Sequence, residues 1–196
     1  MRRADVEHIY TSSYVDAIAS GNPFDTVDAF MGRFDSYVAS DTFAIVVAYA
    51  GDEPIGQTWG WPLKKNSAWW DGLQLDNPDK TFIEEDGRRT FALSEIMVDT
   101  QWTGQGIAHN LHNTLLASRN ESRATLLVDP TNERARRTYL RWGWRKVGLL
   151  KPRWEHAPLF EVMILPLPTA ERQEPDPEHA LHALVAEVAD ERIDGD

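Results

Sequence analysis

The first third of the chain carries two apolar stripes at helical spacing. The first stripe predicts a helix that ends at the sequence SGNP, because glycine and proline interrupt a helical pattern. Its members are Val6, Ile9, Tyr10, Tyr14, Ala17 and Ile18. The second stripe predicts a helix that starts with Asp25 as its N-cap. Its members are Val27, Phe30, Met31, Phe34 and Val38.

A pattern typical of strands follows the two helices. Residues 42–50 and 55–63 are rich in β-branched and aromatic side chains, and the sequence GDEP separates them. This arrangement predicts a β-hairpin. Residues 64–90 show no regular pattern and predict a long, irregular connection.

The pattern then alternates between strands and helices. It predicts strands at 91–98 and 124–129, helices at 106–118 and 132–142, and two last strands around a loop at 151–157. Gly143 is the expected end of the second helix. The segment 91–129 is a βαβ unit, for which a parallel, right-handed crossover is expected. The fold class is therefore α/β.

The last 29 residues differ in composition from the rest. From residue 168 the chain is acidic and contains several prolines, which predicts a linker. Asp176 and Pro177 resemble a helix start, and an apolar stripe then predicts an amphipathic tail helix. The stripe consists of Leu181, Leu184, Val185 and Val188. We expect one domain over 1–167 and a linker with a tail helix over 168–196.

Composition and charge limit the classes of function that the chain could have. The 196 residues suffice for one domain with a core, 42% are hydrophobic, and no stretch is apolar enough to span a membrane. The opening MRRADVEHIY lacks an apolar signal core, so a cytoplasmic location is expected. The chain has no cysteine, which excludes thiolate metal sites and cysteine nucleophiles. A net charge of -11 argues against nucleic acid and favours a neutral or cationic partner.

Two glycines stand where a strand leads into a helix. Gly104 and Gly106 lie between the end of the predicted strand 91–98 and the first turn of the predicted helix 106–118. The first amides of a helix have no intrahelical partners, and glycine lets a ligand approach the backbone, so the junction suits a phosphate. A tight turn into a helix is the alternative. The longer nucleotide patterns GxxxxGK[ST] and GxGxxG are absent.

Two further sequence patterns, one in the junction and one downstream of it, indicate which protein family the chain resembles. Gln101 to Gly106 fit [QR]-x-x-G-x-[GA], and Asn132 to Trp144 fit N-x-x-A-x-x-x-Y-x-x-x-G-[FW]. In both patterns the chain resembles the GNAT superfamily of acetyl-coenzyme A dependent N-acetyltransferases. The resemblance implies a single domain whose central mixed, mostly antiparallel sheet is flanked by helices.

The resemblance also implies which residues hold the coenzyme. Amides of the junction would cradle the pyrophosphate, the backbone of one strand would pair with the pantetheine arm, and the second motif would flank the arm. The residues concerned are Gln101, Thr103, Gly104, Gln105, Gly106, Ile107 and Ala108 in the junction, Ile96, Met97 and Val98 in the strand, and Asn132 and Ala135 in the second motif. The chain departs from the family at Thr103, where members often carry arginine, in a short or missing first strand, and in the length of 64–90.

Acetyl transfer needs a neutral amine, donors to the carbonyl oxygen and a proton for the leaving thiolate. The resemblance points to Tyr139 as the acid; an ordinary core tyrosine is the alternative. Glu95 is the candidate base, because a carboxylate in an apolar strand is costly unless it is paired or used. A salt bridge or a substrate anchor is the alternative role for Glu95.

The acceptor site is expected between the turn at 19–25, the end of the strand at 91–98, the loop at 151–157 and part of 64–90. Trp69, Trp70 and Asp71 would suit a cationic amine, unless the tryptophans only anchor the loop. Two histidine pairs have the spacing that a metal site would need, His109 with His112 and His179 with His182. No third ligand is evident for either pair, so no metal site is expected.

The sequence therefore predicts an N-acetyltransferase that works by direct transfer in a ternary complex, with acetyl-coenzyme A as cosubstrate and no metal. The alternatives are a coenzyme-binding sensor without turnover and an interaction module centred on the tail helix. The acceptor is a small-molecule or peptide amine: a polyamine, an amino sugar, an amino acid and a peptide N-terminus all stay open. A homodimer is also open, since dimers are common in the family.

Overall fold

The computed structural model describes residues 2–153 and 157–168 and the backbone of 183–187. The helices are α1 (Arg3–Ser13), α2 (Val15–Ala19), α3 (Val27–Val38), α4 (Ile107–Ala117) and α5 (Glu133–Arg141). The strands are β1 (Ala44–Ala50), β2 (Glu53–Pro62), β3 (Leu73–Leu75), β4 (Thr90–Val98), β5 (Arg123–Val128), β6 (Arg145–Leu150), β7 (Phe160–Pro166) and β8 (Ala183–Glu187).

The chain forms two compact units. The first comprises the described residues of Met1–Gly60, Glu95–Leu115 and Gln173–Asp196, and the second those of Trp61–Ser94 and Leu116–Arg172. Strand β4 contributes its first five residues to the second unit and Glu95–Val98 to the first.

The helices of the first unit depart from the predicted bounds in two places. The expected first helix is divided, because Tyr14 adopts φ -111° and ψ 31° between α1 and α2. The hydroxyls of Thr11 and Ser12 donate to the carbonyls of His8 and Ile9, and such bonds compete with helical ones. Asp25 does not cap α3. Thr26 does, since its Oγ1 accepts from the amide of Ala29 at 3.2 Å.

Asp25 instead ends a 3₁₀ turn of its own. The turn spans Pro23–Asp25, and the side chain of Asn22 caps it by accepting from the amide of Phe24. The apolar faces of α1 and α3 meet in an aromatic core. Rings of Tyr10 and Phe30 stack with centroids 3.7 Å apart, and Trp59 of β2 lies 5.6 Å from Phe30.

The strands of the first unit stand in the order β4, β2, β1, β8. The predicted hairpin is present as the antiparallel pair β1 and β2, whose register runs from Ala44 opposite Gly60 to Ala50 opposite Glu53. Gly51 closes the turn with φ 61°.

The predicted tail helix is wrong for residues 183–187. They form β8, which pairs antiparallel with β1 from Ala44 opposite Glu187 to Ala48 opposite Ala183. A short apolar run fits a strand as well as a helix, and the free edge of β1 offers unpaired amides and carbonyls. The rest of the predicted tail helix and most of its linker lie outside the described residues.

The strands of the second unit stand in the order β3, β6, β7, β5, β4. The pairs β3–β6, β6–β7 and β5–β7 are antiparallel, and β4–β5 is parallel. The mixed, mostly antiparallel sheet and the parallel βαβ unit are thus confirmed. The parallel ladder joins Thr90–Ala92 to Arg123–Thr125 and ends there, although β4 continues to Val98.

The long connection at 64–90 is ordered by a buried carboxylate. Oε1 of Glu85 accepts from Nε1 of Trp70 at 3.0 Å, from the Thr90 hydroxyl at 2.7 Å and from Arg123 at 3.1 Å. Arg123 also donates to the Phe82 carbonyl and lies 4.3 Å from the Phe82 ring centroid. These contacts tie the connection to β4 and β5.

Candidate active site

The junction between β4 and α4 presents a row of open backbone amides. Gly104 and Gly106 both have φ 81°, and α4 begins at Ile107. Within the described part of the chain, none of the amides from Gly104 to Ala108 donates to a protein acceptor. A Cβ placed on either glycine would have no protein atom within 4 Å. The arrangement has the donors and the open space that a phosphate needs.

A buried aspartate shapes this junction. Asp99 is 5% exposed, and its carboxylate accepts from the amide of Gln101 at 2.8 Å, capping a 3₁₀ turn over Thr100–Trp102. The amide of Asp99 in turn donates to the carbonyl of Ile55. The hydroxyl of Thr103 donates to the carbonyl of Thr100, so this side chain is engaged within the turn.

The end of β4 is held from the other side by β2 and α1. Met97 is 4% exposed, and Nε2 of the buried Gln57 lies 3.1 Å from its sulfur and 3.2 Å from the carbonyl of Val6. Ile96 and Val98 are half-buried. The predicted pantetheine-pairing residues therefore share one fixed strand with the amide junction that follows it.

Glu95 lies on the same strand, immediately before these residues. Its carbonyl accepts from the Thr58 hydroxyl at 2.8 Å, which fixes the backbone. The residue keeps some solvent exposure, but burial of the carboxyl group raises the pKa of Glu95 to about 7, while the charge of Arg33 opposes that rise. No described side chain donates a hydrogen bond to the carboxylate. The salt bridge considered as its alternative role is not formed among the described residues.

Three side chains of α1 and α3 share the surroundings of Glu95, and sequence reasoning missed two of them. Burial raises the pKa of Tyr37, and the negative charge of Glu95 adds to the rise. Burial also raises the pKa of Tyr10, whose hydroxyl donates to the carbonyl of Asp25. The positive charge of Arg33 opposes the rise in the pKa of both tyrosines. Arg33 and Tyr37 stand four residues apart on one helix, but no sequence signal relates α3 to β4.

The second motif lies in the second unit. Asn132 is the N-cap of α5, because its Oδ1 accepts from the amide of Ala135 at 3.0 Å. Tyr139 is half-buried, and its ring meets Trp142 and Trp144 edge to face at 5.8 and 6.2 Å. Asn132 and Ala135 thus define the helix start, and Tyr139 sits two turns farther along.

The three residues predicted to bind the acceptor amine differ in their surroundings. Trp70 is 5% exposed and donates to Glu85, so its contacts match the anchoring alternative. Trp69 is half-buried against Trp61, and Asp71 is exposed. Part of the loop at 151–157 lies outside the described residues.

The histidines of α4 form a chain of polar contacts. Nδ1 of His112 lies 2.8 Å from Oδ1 of Asn113, and the Asn113 amide nitrogen lies 3.3 Å from Nε2 of His109. Burial lowers the pKa of His112 to about 4, so it stays neutral. Among the described residues no group of three or more histidine, aspartate or glutamate side chains could hold a metal ion. None of the described helices has the length and apolarity to cross a membrane.

Comparisons with known proteins give this geometry a context. Residues 4–144 match the model of the acetyltransferase (GNAT) family. None of the curated proteins compared with the chain matches it.

Solved structures of similar fold include three acetyltransferases. An acetyltransferase of Thermus thermophilus is 14% identical, with a TM-score of 0.58 over 84% of this chain and 90% of its own. The ribosomal-protein-S18-alanine N-acetyltransferase of Escherichia coli is 13% identical, with a TM-score of 0.58 over 88% and 92%. A variant of the spermidine N-acetyltransferase of Vibrio cholerae is 15% identical, with a TM-score of 0.55 over 85% and 90%. The α/β fold class with its mixed sheet is thereby confirmed.

Proposed function

The chain belongs to the GNAT acetyltransferase family, and on that premise we propose that it moves the acetyl group of acetyl-coenzyme A to a primary amine of a small molecule or peptide. The observation that carries the proposal is the row of unpartnered amides from Gly104 to Ala108. In this proposal transfer is direct, within a ternary complex, and the absence of cysteine excludes a cysteinyl intermediate. The named activities of two similar structures, on spermidine and on a protein alanine, illustrate how widely the acceptor varies on this fold.

In this proposal the coenzyme binds to the residues that the sequence singled out. Amides of residues 104–108 would hold the pyrophosphate, and the glycines leave space beside them. The backbone of Ile96–Val98 would pair with the pantetheine arm, since the β4 ladder with β5 already ends at Ala92. Gln101 and Thr103 would border the pyrophosphate, and Asn132 and Ala135 would flank the arm. The coenzyme supplies an acetyl thioester; the protein supplies position and proton transfer.

Glu95 is proposed as the base that takes the amine proton, directly or through water. A base works best when its pKa lies near the working pH, and the pKa of Glu95 is about 7. Its partial exposure gives the proton a way to solvent, and the absence of a protein donor among the described residues leaves its oxygens available to an amine. A coenzyme-binding sensor would have no need of such a carboxylate, which favours the enzyme.

Tyr139 is proposed as the acid that protonates the departing thiolate. A phenol has a pKa of about 10 and an alkyl thiol one of about 8.5, so the transfer is nearly balanced. The proposal for this residue rests on the second motif.

The test measures acetyl transfer from acetyl-coenzyme A to a panel of amines, together with calorimetric binding of coenzyme A. The enzyme should bind the coenzyme and acetylate at least one amine class, and Glu95→Gln should lower turnover while keeping coenzyme affinity. Binding without turnover on any amine would favour the sensor. Failure to bind acetyl-coenzyme A at millimolar concentration would refute the proposal entirely.

A further inference from the structure

Arg33 is a half-buried arginine in the middle of α3. Its guanidinium carbon lies 3.9 Å from the ring centroid of Phe24, and one nitrogen donates to the Phe24 carbonyl at 3.0 Å. Stacking and the hydrogen bond hold the guanidinium against the turn Pro23–Asp25. That turn is one of the segments expected to wall the acceptor site, and Phe24 is 53% exposed on it.

Arg33 and Arg89 are both partly buried arginines without a carboxylate partner among the described residues, but Arg89 donates to two carbonyls, those of Thr81 and Glu84. Arg119, Arg123 and Arg136 are 20%, 12% and 32% exposed, and each forms an ion pair, with Glu121, Glu85 and Glu161 respectively. Arg33 has no carboxylate within ion-pair distance in the described part of the chain, and four of its five donors have no protein acceptor there. A partly desolvated cation without a counter-ion is costly, unless an anion from outside the chain fills the place.

Glu95, in the same unit, likewise has a charged group without an ion-pair partner among the described residues. Its carboxyl group has no donor among the described residues, and the charge of Arg33 acts on it directly. The first unit thus holds a carboxyl group and a guanidinium that form no ion pair with each other. The charges of Glu95 and Arg33 both act on the pKa of Tyr10 and on the pKa of Tyr37.

We propose that Arg33 determines acceptor specificity by binding a carboxylate of the acceptor, so that the substrate is an amine that also carries a carboxylate, such as a free amino acid. The planar guanidinium matches a carboxylate with two parallel hydrogen bonds, and the amine of the same molecule goes to Glu95. A zwitterion also suits a chain with a net charge of -11, which repels simple anions. The inference rests on the proposed function and narrows the amine left open there.

The experiment compares each amino acid with the amine that lacks only its carboxylate: alanine with ethylamine, phenylalanine with phenethylamine, lysine with cadaverine. kcat/KM is measured for the wild type and for Arg33→Gln, Arg33→Lys and Arg3→Gln. Arg3 is the matched control, since it is an exposed arginine of the same unit that pairs with Asp35. Comparing variants on one pair cancels the intrinsic reactivity of each amine.

The wild type should prefer the amino acid of at least one pair. Arg33→Gln should lower kcat/KM for that amino acid about 10- to 100-fold while changing the matched amine less than about threefold, because two charge-assisted hydrogen bonds are lost. Arg33→Lys should keep part of the preference, and Arg3→Gln all of it. An equal loss on both members of the pair would mean that Arg33 only fixes the turn, and would overturn the proposal.

Calorimetric binding of the same compounds to the coenzyme A complex separates this inference from the proposed function. Arg33-dependent binding of an amino acid without acetylation would uphold the inference and refute the activity. Acetylation of amines with no preference for a carboxylate would uphold the activity and refute the inference.

Discussion

Replacement of Gly106 by alanine tests the amide junction most directly. Gly106 has φ 81°, and its added Cβ would meet no protein atom within 4 Å. The described residues therefore offer no steric collision, and two effects remain. One is the strain of an alanine at positive φ, and the other is a methyl group in the open space beside the amides.

The strain has a matched control in Gly51→Ala. Gly51 lies in the same unit, has φ 61°, and likewise leaves its Cβ in open space, but it belongs to the β1–β2 turn. An alanine in the left-handed region costs about 1–2 kcal/mol. For a chain of this size, both variants should lower Tm by about 2–8 °C.

The two variants should differ in coenzyme affinity. A methyl group at Gly106 competes with the pyrophosphate for its place, and we expect Kd for acetyl-coenzyme A to rise at least tenfold, or about 1.4 kcal/mol. Gly51→Ala should leave Kd within about twofold of the wild type. Calorimetry below the Tm of every variant measures this directly.

Two results would refute the reasoning. Wild-type affinity in Gly106→Ala would mean that the coenzyme does not approach this backbone. Equal weakening in Gly51→Ala would mean that affinity follows global stability rather than the junction.

Three other residues give further predictions. Activity should rise with pH through about 7 as the Glu95 carboxyl deprotonates, and Glu95→Gln should remove this limb and lower kcat about 10²- to 10⁴-fold; an unchanged profile would exclude Glu95 as the base. The pKa of Glu95 is higher in the folded than in the unfolded state, so its contribution to stability is full below about pH 4.5 and is lost as pH rises to about 7. The free energy of unfolding of Glu95→Gln should therefore exceed that of the wild type by roughly 1–3 kcal/mol at pH 8 but not at pH 4, as measured by denaturant titration. Tyr139→Phe should lower kcat about 10²-fold without changing coenzyme Kd, whereas a loss of affinity alone would point to a packing role. Glu85→Gln should leave the buried charge of Arg123 uncompensated and cost about 3–5 kcal/mol, and a Tm within about 2 °C of the wild type would contradict this.

Local patterns predicted those parts of the fold that local physics decides. The hairpin β1–β2 and the unit β4–α4–β5 follow from alternation, helical spacing and glycines, all of which lie within a few residues of each other. Asp25 does not cap α3 because it belongs to a separate 3₁₀ turn, Pro23–Asp25, which Asn22 caps. Tyr14 divides the first helix by leaving the helical region of φ and ψ, and the apolar stripe carries no signal of that departure. In both cases the deviation spans only a few residues.

Long-range pairing explains the remaining errors. Strand β8 pairs with the edge of β1, which lies far earlier in the chain. The residues around β8 contain no signal that would identify β1 as its partner. The junction amides and Glu95 could be predicted because they share one continuous segment. Arg33 could not, because its relation to Glu95 depends on how α3 packs in the first unit.

The junction from Gly104 to Ala108 consists of main-chain donors, and that has a consequence for its chemistry. Peptide amides neither gain nor lose a proton anywhere in the range where proteins stay folded, and exchanging one side chain for another does not delete them. Under the proposed function, binding of the diphosphate would therefore be insensitive to acidity on the protein's side and robust to sequence drift outside the two glycines. Catalysis through Glu95, whose pKa is about 7, would respond to pH while affinity for the acyl donor stays constant.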